Sequence, residues 1–162
     1  MSRFTVATGM LVLATAALTS CTSAEEPEPT WTEESAYAAA EETFRAYWAA
    51  GAEGSAARAP YLNDEMKQVE RDGENELADL EIETRGASTV ESVQLTDFRL
   101  VDNVGVVELE ACIDGVDVEV RQKQGEWRNP RADPIYGVVV RLESSGDMMV
   151  ISDIGELEED RC

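Results

Sequence analysis

Histidine is absent from this 162-residue chain, and only Lys67 and Lys123 among its 13 basic residues are lysines. Without imidazole the usual catalytic or zinc-binding histidines are excluded, together with the ordinary near-neutral proton switch. Positive charge is equally scarce. With 34 acidic residues, a net charge of −21 and a pI near 4.1, the chain offers nucleic acid no basic footprint. No apolar run reaches the roughly twenty residues of a membrane-spanning helix. Glycine-rich phosphate cradles and a Walker lysine are missing as well. What is present is a hydrophobic share of 43%, enough for one modest globular domain with short appendages. The arginine bias is typical of GC-rich genomes, and an acidic, lysine-poor surface also occurs in salt-adapted organisms.

Arg3 is followed by an uncharged stretch from Phe4 to Leu18, the dimensions of a signal-peptide core. That stretch closes on Leu18-Thr19-Ser20-Cys21. It resembles the lipobox of bacterial lipoproteins, in which an aliphatic residue and two small ones precede the cysteine that receives diacylglycerol. Residues 1–20 are therefore expected to be a cleaved signal peptide. The resemblance implies lipidation at Cys21, a membrane partner through that anchor, and residence on the extracytoplasmic face of the cell membrane. The mature chain would carry 34 acidic and 12 basic side chains, a formal charge of −22. Residues 21–32, with Thr22 to Thr32 reading TSAEEPEPTWT, are expected to form an acidic tether with Trp31 as its one large apolar residue.

Residues 33–162 are expected to fold as one α+β domain. Thr30 or Thr32 supplies an N-cap, and Tyr37, Ala40, Phe44, Tyr47 and Trp48 recur at helical spacing up to Gly51. Such an aromatic stripe packs on a sheet more often than it cages a ligand. A second helical stretch places Leu62, Met66, Val69, Leu77, Leu80 and Thr84 on one face, interrupted by Gly73 and closed by Gly86. After Gly86 the period becomes two. Val93 and Leu95 change parity with Phe98 and Leu100, which predicts a bulge near Thr96 and Asp97. Alternation from Val107 to Ile113, an Asp114-Gly115 hairpin signal, and runs at 116–120, 136–142 and 148–154 complete a meander of about five strands. The expectation is N-terminal helices packed on a curved, mainly antiparallel, cone-like sheet.

The lipobox, the acidic linker, the helix carrying Phe44-Arg45-Ala46-Tyr47-Trp48-Ala49-Ala50-Gly51, the strand carrying Glu110-Ala111-Cys112-Ile113-Asp114 and the terminal cysteine occur in a familiar order. That order resembles small secreted actinobacterial lipoproteins with a nuclear-transport-factor-2-like, cystatin-like domain. Met148 and Met149 stand after Gly146-Asp147 where that pattern carries a tryptophan. The resemblance implies a cone that serves as a pocket in some members, with Tyr37, Phe44, Tyr47 and Trp48 as candidate lining residues. Isomerase- and dehydratase-like members of the superfamily imply an alternative, an enzyme using one of Tyr37, Tyr47, Tyr61 or Tyr136 with Asp97 or Asp153.

Export and lipidation of Cys21 leave Cys112 and Cys162 as an expected disulfide in an oxidising compartment. The crowded acids Glu156, Glu158, Glu159 and Asp160 lack the alternating calcium-loop pattern. No metal, no cofactor and no catalytic residue are assigned. The expected function is a non-catalytic envelope module that binds a protein or an apolar small molecule.

Overall fold

The computed structural model describes residues 31–157 and 162. Helix α1 spans Glu33–Ala49. Of the two N-cap candidates Thr32 takes the position, with Ser35 as its partner. Ser35 N–H donates to Thr32 Oγ1 at 3.2 Å, and Thr32 N–H donates to Ser35 Oγ at 3.0 Å. Ala36, Ala40, Phe44 and Tyr47 are buried along one stripe, while Glu41 and Arg45 pair outward at 2.8 Å. The helix ends with Ala50 as its C-cap, so Gly51 stands at C′ as its spacing suggested, but it is not left-handed. The chain tightens through a 3₁₀ turn, Ala50–Glu53, and the left-handed residue is Gly54 at φ 94°. The short helix α2, Ser55–Arg58, leads through a further 3₁₀ turn, Ala59–Tyr61, into helix α3, Asp64–Asp79.

Six strands form two sheets rather than one five-stranded meander. Strands β2 (Thr89–Val101), β3 (Val104–Asp114), β5 (Ile135–Ser145) and β6 (Met148–Glu156) make an antiparallel sheet in that spatial order. Strands β1 (Ile82–Arg85) and β4 (Glu119–Gln122) make a separate ribbon. The expected hairpin at Asp114-Gly115 does not form, because β3 pairs with β5. At that point Gly115 N–H donates to the Pro134 carbonyl at 2.9 Å, and Asn129 Nδ2 donates to the Gly115 carbonyl at 2.8 Å. The returning residues pair instead with Ile82–Arg85, which the sequence pattern had joined to the preceding helix. Ile82 and Thr84 fit either period, and the helix has already ended at Leu80, followed by left-handed Glu81 at φ 54°. Ion pairs Arg85–Glu119 and Glu83–Arg121 lie across this ribbon, and both guanidiniums stack on the Trp127 ring, 4.2 and 4.6 Å from its centroid.

Bulges keep the apolar set on one face. Val90, Val93, Leu95 and Phe98 stand opposite Ile113, Ala111, Leu109 and Val107, and the parity changes fall at the register shifts Val90/Ser92 and Leu95/Asp97. The latter is the bulge expected at Thr96 and Asp97. A third shift, next to Arg141/Leu142 of β5, lets Ile151 and Ile154 share the face of Leu142 and Val140. Helix α1 packs on this face, with Phe44, Leu109, Ile113, Leu142 and Ile151 fully buried.

Two corrections concern the edges of the core. Trp31, expected in the tether, is 7% exposed and belongs to the core. Helix α3 buries no residue along its length. Its start reaches the core: Leu62 is buried and bridges to Ile151, Asn63 caps the helix by accepting from Met66 N–H at 2.8 Å, and Met66 touches the core. On the opposite face of the sheet Cys112 is bonded to Cys162, with 5.6 Å between their Cα atoms. Gly137 is opposite Cys112 in β5, and a Cβ there would stand 2.8 Å from Leu157. A residue with no side chain there leaves room for Leu157 and Cys162 over β5.

Candidate functional site

Two clefts open beside the helices. The first, of about 240 Å³, lies where the end of α1 meets α2, the approach to β2 and the start of β5. It is lined by Tyr47, Trp48, Gly51, Arg58, Ser88 and Tyr136. Tyr47 Oη donates to Glu70 Oε1 at 2.6 Å, and Glu70 Oε2 is ion-paired with Arg58. The Arg58 guanidinium lies 5.6 Å from the centroid of the Tyr47 ring, and Trp48 Nε1 donates to Ser88 Oγ at 2.8 Å. Burial, then the hydrogen bond and charge of Glu70, push the Tyr47 phenol far above its ordinary range. At neutral pH this phenol keeps its proton, and Arg58 balances the carboxylate. The cluster therefore ties α1, α2 and α3 together and activates no nucleophile.

The aromatic candidates divide between two surroundings. Tyr47 and Trp48 line the cleft, whereas Phe44 is fully buried and stacks at 5.3 Å from Trp48. Tyr37 packs edge-on against Phe98 at 6.3 Å. Desolvation and the nearby Glu33 and Asp97 raise its pKa. Tyr61 packs against the core, and Tyr136 lies under Arg131 at 4.0 Å. Asp97 is held by Arg99 at 2.7 Å, and Asp153 is exposed on β6. Neither aspartate lines the two clefts. The tyrosine–aspartate pairing that isomerase chemistry would need is thus not assembled there. Among the described residues no polar or charged side chain is buried, and no group of three metal-ligating side chains occurs.

The second cleft, of about 500 Å³, runs along α3 and is lined by Arg58, Val69, Glu70, Gly73, Glu74, Glu76, Leu77 and Leu80. Val69, Leu77 and Leu80 are 55%, 39% and 45% exposed. Glu74 joins α3 to α2 by accepting from Ser55 N–H at 2.9 Å and Ser55 Oγ at 2.6 Å, which lowers its pKa. The sequence showed the apolar spacing of α3 but not its exposure. The partnership of Glu70 with Tyr47 and Arg58 had no sequence signal, since both charged residues look like solvated surface. Leu18, Thr19, Ser20 and Cys21 lie outside the described residues, and among those described no helix is long and apolar enough to cross a membrane.

No family model matches the chain, and no curated protein matches it. Among solved structures it is similar to the intermembrane space region of the chloroplast protein ARC6. The identity is 15% over 73% of this chain and 93% of that one, with a TM-score of 0.42. A likeness so distant bears on neither fold family nor function.

Proposed function

We propose that the chain is a cell-envelope lipoprotein, held by a lipid on Cys21 at the outer side of the cytoplasmic membrane, whose domain binds a protein partner and catalyses no reaction. The observation that carries this reading is the contrast between a filled core and an uncovered helix. The face of the sheet under α1 is packed with side chains, while α3 turns Val69, Leu77 and Leu80 to solvent. An open cone with an acid inside would favour the isomerase-like alternative, and a dry cavity would favour a carrier of apolar molecules. A filled core with an exposed apolar stripe fits docking to a protein.

The anchor reading rests on the lipobox resemblance and the order of segments shared with nuclear-transport-factor-2-like actinobacterial lipoproteins. Two or more acyl chains hold a protein stably where one is marginal. The tether would join the domain at Trp31, beside Gly105 and Met149 at the end of the sheet that carries the β2–β3 and β5–β6 turns. That end would face the bilayer. A charge of −22 would hold the rest of the surface away from anionic head groups.

Incorporation of labelled fatty acid tests the anchor: label is expected in the wild type and absent from Cys21→Ala, and equal labelling of both would refute it. Binding is tested by replacing Leu77 with aspartate in cells. Loss of the wild-type complex on cross-linking is expected, and an unchanged complex would refute docking through α3.

A further inference from the structure

We infer that the α3 face receives a basic amphipathic helix of another protein, an inference that deepens the docking reading above and rests on it. The stripe Val69, Gly73, Leu77 and Leu80 recurs at four-, four- and three-residue steps, so it forms one ridge on the helix. From Val69 to Leu80 it extends about 16 Å, the length of roughly three helical turns. No described residue buries that stripe, since Tyr61, Leu62 and Met66 are what the core receives from this part of the chain.

Gly73 stands in the middle of the stripe, and a Cβ there would meet no atom within 4 Å. Nothing among the described residues requires glycine at this place, which is unfavourable in a helix interior. Its lack of a side chain does permit a second helix to come close to the α3 backbone at the centre of the ridge. The long side chains on either side of Gly73 then become the walls of a helix-in-groove site.

Charge selects the occupant. Helix α3 carries seven acidic residues against Lys67 and Arg71, and Glu70, Glu74 and Glu76 rim the cleft itself. Arg58, the cation at this rim, is paired with Glu70, so Glu74 and Glu76 are the carboxylates that the rim offers to a cation. A second copy would set one acidic rim against another. The segment TSAEEPEPT that precedes Trp31 is acidic too, and anionic head groups would be repelled in the same way. The fitting partner places apolar side chains on the ridge and lysines or arginines against the glutamates on both sides.

The experiment uses the lipidated full chain in zwitterionic nanodiscs. Its probes are fluorescent helical peptides with leucine at positions matching the stripe and either lysine or glutamate on the flanks. The lysine peptide is expected to bind at least ~10-fold more tightly than the glutamate peptide, with the gap narrowing as salt rises. Leu77→Asp and Gly73→Leu should each weaken it about tenfold without lowering the melting temperature, because both positions lie outside the core. Equal affinity for the two peptides, no binding by the lysine peptide, or binding that Leu77→Asp leaves intact would overturn the inference. So would a wild-type dimer that Leu77→Asp dissolves, or recruitment to anionic nanodiscs in place of the peptide. Fatty-acid label on Cys21 without lysine-peptide binding removes the basic partner and spares the anchor. Peptide binding without label does the reverse.

Discussion

Trp31 lies against Gly105, so closely that a Cβ on Gly105 would stand 3.2 Å from the indole Cγ and 3.3 Å from Met149 Cε. Gly105 is paired with Leu100 across the β2–β3 hairpin, whose turn is made by left-handed Asp102 and Asn103. Trp31, two residues before the first helix, is thereby locked onto the middle of the chain.

Removing either partner should show this. Trp31→Ala is expected to cost about 3–5 kcal/mol, as for other buried large aromatics. Gly105→Ala forces the indole or Met149 to shift and should cost about 1–3 kcal/mol. Urea unfolding decides the matter. A Trp31→Ala midpoint equal to the wild type would return Trp31 to the tether.

The Cys112–Cys162 bridge closes a loop of 50 sequence positions, for which the chain-entropy model gives about 4 kcal/mol. Cys112→Ser should lower stability by up to that amount and leave one alkylatable thiol at Cys162. Gly137→Leu should displace Leu157 and Cys162, since their atoms stand 2.8 and 3.2 Å from a Cβ at that position. Mass spectrometry of the unreduced protein after alkylation reads both effects. Two free thiols in the wild type would refute the bridge.

Core and surface should respond differently to truncation. Phe44→Ala is expected to cost about 3–5 kcal/mol, enough to unfold a marginal domain. Leu77→Ala, on the exposed stripe of α3, should stay within about 0.5 kcal/mol. If Phe44→Ala leaves the thermal midpoint unchanged and abolishes binding of a ligand, Phe44 lines a site.

Alkaline pH should loosen the helices through Tyr47. Its folded pKa lies above the ordinary value of 10.0, so its contribution is fully present below pH 10 and is lost as pH rises through the folded value. Glu74 acts in the opposite range: its pKa lies below the ordinary 4.5, so its contribution is present above that value and is lost as pH falls through the folded one. Tyr47→Phe should cost about 1–3 kcal/mol by removing the phenol that donates to Glu70 Oε1, and should flatten the alkaline limb of stability. Glu74→Gln should flatten the acid limb alone. Denaturation midpoints across pH measure both, and an unchanged alkaline limb in Tyr47→Phe would sink the first assignment.

Residue periodicity made much of this architecture legible. Phe44 with Tyr47 marked a buried helical stripe, Val107 to Ile113 marked a central strand, and the parity change between Leu95 and Phe98 marked a bulge. Each signal is local, since burial of one face repeats every 3.6 or every two residues whatever the partner is. The disulfide was legible by counting cysteines once Cys21 was set aside. The candidate site was less so. Tyr47 and Trp48 were singled out for their ring chemistry, while Arg58, Glu70 and Ser88, which complete the cluster with them, lie at least ten positions away in the sequence.

By itself the amino-acid sequence determined the fold class, the buried stripe of α1, the bulge at Thr96 and Asp97, and the pairing of Cys112 with Cys162. Tertiary structure alone decided three other things. Strand β4 pairs with β1 instead of folding back on β3, because β5 occupies that edge of β3. Trp31 enters the core, because Gly105 leaves room for its ring. Among the described residues nothing covers the apolar stripe of α3, although its spacing looks the same as that of a buried helix. Periodicity reports that a face is apolar; only the packing of distant segments settles whether anything within the chain covers it.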